Sequence, residues 1–168
     1  MNSLGIDASV RSTGLTFISP SEIIVKNITP KKIKGGERLA YIVKEFLEFL
    51  GKRSPDIIIM EGPSYFSTNK PFLLGEVYGL FKTQSYLLYN KEIITPSPKE
   101  LKKYLCSNGD ANKKSMITKA GSLGCPSTQE DICDSFSAAL LGIDILKNTN
   151  SPGTRKALEV ITKYRLGM

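Results

Sequence analysis

Residues 3–28, SLGIDASVRSTGLTFISPSEIIVKNI, decide the fold. Apolar and β-branched residues fill three runs, 3–9, 13–19 and 22–28, broken at Arg11-Ser12 and at Ser19-Pro20-Ser21. Short polar breaks between such runs predict three consecutive strands in an antiparallel meander. Downstream, Leu39, Ile42, Val43, Phe46, Leu47 and Leu50 recur at i, i+3, i+4 spacing, which predicts a helix over 36–53. Residues 56–61 are nearly all apolar, the pattern of a strand buried on both faces. A second long helix is expected over 71–90, with Pro71 tolerated at its start, then a short strand over 92–95 and helices over 98–106 and 112–123. Ser127-Thr128-Gln129-Glu130 has the form of a capping box and predicts the start of a last helix running to about Lys147. Residues 148–153 read as a linker, and 154–165 as a basic terminal helix or tail. The expected organisation is one domain over 1–148 followed by a basic tail over 149–168. The pattern by itself supports a mixed sheet with helices on both faces.

With 168 residues, 40% of them hydrophobic, the chain is long enough for one domain with a sizeable core. Lys and Arg number 23 against 16 Asp and Glu, and the net charge of +7 suits a polyanionic partner. The absence of histidine excludes a Ser-His-Asp triad, an imidazole base and His-ligated zinc, so any chemistry must rest on carboxylates, lysines, hydroxyls or oxygen-bound metals. Cys106, Cys125 and Cys133 are odd in number and include no Cys-x-x-Cys pair, which argues against a disulfide framework and structural zinc. With no long apolar run and no signal-like N-terminus, a cytoplasmic protein without membrane contact is expected.

Four acids stand out. Asp7 ends the run Ser3-Leu4-Gly5-Ile6-Asp7, and Glu61 ends Ile57-Ile58-Ile59-Met60-Glu61. Asp131 and Asp134 are spaced i, i+3 at the front of the last helix and project from one side of it. A lone Asp at a strand end more often caps a turn. On the last helix, however, the side bearing the two Asp continues as Ala138, Leu141 and Ile145, which a solvated acidic face would not do. Four gathered carboxylates would repel one another unless cations neutralised them, and oxygen-only ligands favour Mg²⁺ or Mn²⁺ over zinc.

Several motifs carry a resemblance. Gly5-Ile6-Asp7-Ala8-Ser9-Val10-Arg11-Ser12-Thr13-Gly14 resembles the first strand and hairpin of the RuvC-type Holliday-junction resolvases, G-I-D-P-G-x-x-x-T-G, with Ala8-Ser9 in place of Pro-Gly as in viral members. Actin-like ATPases begin similarly, but they need two such lobes. Leu74-Gly75-Glu76-Val77-Tyr78-Gly79, Pro98-Lys99-Glu100-Leu101-Lys102, Gly109-Asp110-Ala111-Asn112-Lys113 and Asp131-Ile132-Cys133-Asp134-Ser135 resemble further family motifs in the family's order, spanning residues 4 to about 147.

The resemblance implies an α/β, ribonuclease H-like fold with a five-stranded mixed sheet flanked by helices, in which the fourth strand lies beside the first and brings Glu61 next to Asp7. It implies a crossover junction endodeoxyribonuclease, a homodimer that resolves four-way DNA junctions by paired nicks and leaves 5′-phosphate and 3′-hydroxyl ends. Asp7, Glu61, Asp131 and Asp134 would hold two Mg²⁺ or Mn²⁺ ions per site, about 4 Å apart in a two-metal mechanism, with no nucleotide cofactor. A broader flap or RNA·DNA hybrid nuclease, or an inactive DNA-binding protein of the same fold, are the competing expectations.

Between residues 95 and 119, six lysines face two acids. Lys102 and Lys113 align with family lysines that approach the DNA backbone, Lys113 at the catalytic centre itself, and Lys103 and Lys114 adjoin them. Tyr65 and Phe66 follow Glu61 in a polar loop and are candidates to stack on bases at an opened junction. Gly75 and Gly79 lie four apart on one helix face, either packed tightly on the chain's own sheet or at the dimer contact that the resemblance implies.

Overall fold

The computed structural model describes residues 1–63 and 71–147. The strands are β1 (Ser3–Asp7), β2 (Thr13–Ile18), β3 (Ile23–Ile28), β4 (Ile57–Met60) and β5 (Ile93–Ile94). The helices are α1 (Gly35–Leu50), α2 (Pro71–Tyr89), α3 (Pro98–Cys106), α4 (Lys113–Ser122) and α5 (Glu130–Leu146). They form the expected five-stranded mixed sheet in the order β3-β2-β1-β4-β5. The meander β1-β2-β3 is antiparallel, whereas β4 runs parallel to β1 and β5 parallel to β4.

Alternation along the strands sorts the core into two sides. Leu4, Ile6, Ile58 and Met60 pack with Ile42, Phe46, Val77 and Phe81 of α1 and α2. Phe46 and Phe81 meet edge to face at 5.2 Å between ring centres, joining the two helices above the sheet. On the opposite side Ile57 and Ile59 pack with Leu101 of α3 and with Ala138 and Leu141 of α5.

Helix α5 lies directly against β1 and β2, and three glycines permit this. A Cβ on Gly5 would stand 1.9 Å from the Ser135 carbonyl oxygen, one on Gly14 2.0 Å from that of Asp131, and one on Gly142 2.1 Å from Ser3 Oγ. The buried hydroxyls of Thr16 and Ser135 meet at 2.8 Å across the same seam.

The β1–β2 turn is organised by Ser9, the residue that replaces glycine in the motif. Its hydroxyl accepts from the backbone N–H groups of Arg11 and Ser12, while Thr13 Oγ1 donates to the Ser9 carbonyl at 3.1 Å. Side-chain hydrogen bonds thus stabilise a turn that glycine would form by backbone freedom.

Two local expectations need correction. Ser127 does not cap α5: the N-cap is Gln129, without a side-chain cap bond, and Ser127 Oγ accepts from the Gln129 N–H in a local turn. The Glu130 carboxylate that would complete the box is taken by Lys113 at 2.7 Å. A capping box does form at α3, where Ser97 Oγ accepts from the Glu100 N–H and Glu100 Oε2 accepts from the Ser97 N–H at 2.8 Å. The short strand expected over 92–95 is narrower, pairing with β4 only at Ile93 and Ile94. No helix among the described residues is long and apolar enough to cross a membrane. Tyr65, Phe66 and the basic tail over 149–168 lie outside the described residues.

Candidate functional site

Ser3, Gly5 and Asp7 alternate onto the α5 side of the sheet, so the last residue of β1 directs its carboxyl beneath the start of α5. The parallel register pairs Ile6 with Met60, and the Glu61 N–H donates to the Ile6 carbonyl at 2.9 Å. Glu61 therefore stands beside Asp7, with Ile57 and Ile59 marking the same side of β4. Asp131 and Asp134 come from the first turns of α5, whose backbone is seated on Gly14, the partner of Asp7 in the β1–β2 pair. The fold thus draws these four distant acids to one end of the sheet.

The proton affinities of Asp7, Glu61 and Asp134 report that gathering. Asp7 is held well above the ordinary carboxyl range, first by burial and then by the charges of Glu61, Asp134, Asp131 and Glu130. Glu61 is pushed up to about 7 by burial and then Asp134, with Lys102 opposing and Glu130 adding to the rise. Asp134 is pushed up to about 6 by burial, Glu130 and Asp131, against Lys102 and Lys113. Asp131 is stabilised by hydrogen bonds: Ser12 Oγ donates to its Oδ2, and Asn27 Nδ2 approaches the same oxygen at 3.4 Å.

Half-buried, mutually repelling carboxyls supply what a divalent cation needs, an oxygen-only donor set whose charge is unbalanced. By this chemistry Asp7, Glu61, Asp131 and Asp134 fit Mg²⁺ or Mn²⁺. Among the described residues no three acidic or thiol side chains already converge to ion-holding distance.

The lysines divide by position. Lys102 of α3 acts on both Glu61 and Asp134 and so faces the acids. Lys113 is exposed at the start of α4, bonded to Glu130 at the rim. Lys103 is exposed on α3, and Lys114 lines a shallow groove with Ser115, Thr118 and Lys119.

Sequence reasoning missed several contributors. Glu130 is a fifth acid acting on Asp7, Glu61 and Asp134, and its place immediately before Asp131 was the available signal. Ser12 and Asn27 hold Asp131, a pairing that exists only once β2, β3 and α5 are assembled. Tyr78 of α2 donates its hydroxyl to the Glu61 carbonyl and fixes the chain where the acid leaves β4; burial and the nearby acids raise its proton affinity.

No protein-family model matches the sequence, and neither does any curated protein. Solved structures do match. The structure of Thermus thermophilus RuvC superposes with a TM-score of 0.71 at 18% identity, covering 89% of this chain and 98% of that one. T. thermophilus RuvC in complex with a Holliday junction substrate gives a TM-score of 0.72 at 19% identity, covering 83% and 91%. The Fowlpox virus resolvase, in complex with its substrate Holliday junction DNA, gives 0.50 at 14%, covering 87% and 99%. The chain has a ribonuclease H-like fold. Within that class its architecture is similar to that of RuvC across nearly the whole of RuvC's length.

Proposed function

We propose that this chain is a divalent-metal-dependent endonuclease of RuvC type that cuts branched DNA, four-way junctions foremost, by paired nicks that leave 5′-phosphate and 3′-hydroxyl ends. One observation carries the reading: Asp7 and Glu61 stand at the ends of adjacent parallel strands beneath the α5 acids, and burial first, then neighbouring acids, raises the proton affinities of Asp7, Glu61 and Asp134 together. A solvated structural acid would have no reason to be both buried and crowded by like charge.

Asp7, Glu61, Asp131 and Asp134 would hold the cations, which when bound supply Lewis-acid charge stabilisation and an activated water. Ser12 and Asn27 orient Asp131, and Tyr78 holds the backbone at Glu61. Lys102 offsets negative charge at Glu61 and Asp134 and is placed to engage a phosphate that approaches them. Lys113, released from Glu130, would contact the strand at the rim, with Lys103 and Lys114 further out.

Two nicks in a two-fold symmetric junction call for two sites, and α2 supports a homodimer. Gly75 and Gly79 are not packed on the chain's own sheet: among the described residues, a Cβ on either would meet nothing within 4 Å. On the same helix Phe72 is 88% and Leu87 73% exposed, too apolar a stripe for an ordinary solvated face.

The test is cleavage of end-labelled four-way junction, flap, linear duplex and RNA·DNA hybrid, in Mg²⁺ or EDTA, by the wild type and Asp7→Asn. Paired symmetric nicks in the junction, lost in EDTA and reduced more than about a hundredfold in the variant, are expected. Cleavage that survives both would refute the metal mechanism, and cutting mainly of flap or hybrid would move the substrate elsewhere.

A further inference from the structure

Beside the acids lies a cleft of about 650 Å³ whose wall changes sign along its length. Asp7 and Glu61 line one part of it, and Arg11, Lys32, Lys34 and Arg38 line it together with uncharged residues that include Ile33, Leu73 and Leu74. Arg11, Lys32 and Lys34 are exposed and form no ion pair with a described residue. Lys32 holds a left-handed φ of 61°, an uncommon conformation for a residue with a side chain, as the chain turns toward α1. Lys34 is the N-cap of α1 and offers no side-chain cap, so the first N–H groups of a 16-residue helix have no side-chain acceptor there.

Arg38, in the first turns of α1, is the unusual member. Its side chain is only 9% exposed, and its buried Nε and Nη2 have no hydrogen-bond partner among the described residues. Glu76 Oε2 stays 3.8 Å away, beyond hydrogen-bond reach, on a side chain that is 46% exposed. A buried guanidinium with unmade hydrogen bonds is costly unless a ligand or solvent completes it. Its planar fork matches phosphate oxygens.

We infer that Arg38, with Lys32, Lys34 and Arg11, forms a phosphate subsite that grips the backbone of the DNA strand next to the point of cleavage at Asp7 and Glu61. The inference rests on the nuclease reading and deepens it. The acids engage the strand at the point of cleavage, and the basic wall continues along the strand without reading its sequence.

The experiment is binding of a fluorescent four-way junction in EDTA, where no cleavage occurs, followed by anisotropy across a series of KCl concentrations. Wild type is compared with Lys32→Gln/Lys34→Gln and with Arg38→Gln. Lys44→Gln/Lys52→Gln, in the middle of α1 and just past its end, removes the same charge as the first variant and serves as control, and thermal unfolding verifies that each variant is folded. The Lys32/Lys34 variant should bind about tenfold more weakly, with the salt slope smaller by about 1–2, while the control stays near wild type. Arg38→Gln should lose affinity likewise, and Glu76→Gln, which frees the guanidinium, should not. Unchanged slope in the Lys32/Lys34 variant, or an equal loss in the control, overturns the subsite alone. A wild type without affinity for the junction overturns the nuclease reading and the subsite with it.

Discussion

Glu61 and Asp134 have proton affinities near neutrality because burial and like charge disfavour their ionised forms. A carboxyl whose folded-state affinity is raised contributes its stability fully below its unfolded value and loses it as pH rises through the folded value. For Glu61 that window runs from 4.5 to about 7. In EDTA, Glu61→Gln should therefore gain stability relative to wild type as pH rises from 5 to 8, by about 1–3 kcal/mol, and Mg²⁺ should reverse the order. Chemical denaturation at the two pH values, with and without the ion, measures this; a pH-independent difference would contradict the burial of an ionisable Glu61. At the same acid, Tyr78→Phe removes the hydroxyl that holds the Glu61 carbonyl. A stability loss of about 1 kcal/mol is expected, with the cleavage rate falling while junction affinity in EDTA stays unchanged. Equal losses in rate and affinity would deny Tyr78 a positioning role.

Helix α5 carries two of the acids, and its seat on β1 and β2 sets where they stand. The seat depends on the missing side chains of Gly5 and Gly14. Gly5→Ala places a methyl 1.9 Å from the Ser135 carbonyl, so the helix must lift, and urea titration should register a loss of more than about 3 kcal/mol. Gly121→Ala in α4 is the contrasting case. Among the described residues nothing lies within 4 Å of its added methyl, and relief of glycine's backbone entropy should give a gain of up to about 1 kcal/mol. If Gly5→Ala were as stable as wild type, the close seating of α5 would be wrong.

At the scale of the whole molecule, the acids lie at one end of the sheet while α2 turns an apolar stripe outward. Leu87→Asp should abolish the proposed homodimer without unfolding the protomer, because a side chain 73% exposed contributes little to the internal core. Sedimentation would read the change of mass, and junction cleavage would shift from paired to uncoordinated single nicks. A wild type already monomeric at working concentration on the junction would remove the two-site arrangement.

Periodicity alone determined much of this protein. Alternation and turn residues fixed the meander, the run Ile57-Ile58-Ile59-Met60 marked a strand covered on both faces, and i, i+3, i+4 spacing marked α1 and α5. These signals are local, and local backbone physics suffices to read them. The prominence of Asp7, Glu61, Asp131 and Asp134 was likewise legible, since acids at the ends of apolar runs demand an explanation. Tertiary structure decided what depends on distant partners. The parallel pairing of β4 with β1 set Glu61 beside Asp7, and the glycine seats brought the front of α5 over both. Competition for one carboxylate explains the failed capping box, as Glu130 bonds Lys113 rather than closing back on Ser127. No sequence pattern singles out Arg38; only packing shows it buried along the cleft that Asp7 and Glu61 also line, with Nε and Nη2 unpartnered among the described residues, because burial is a property of the assembled fold.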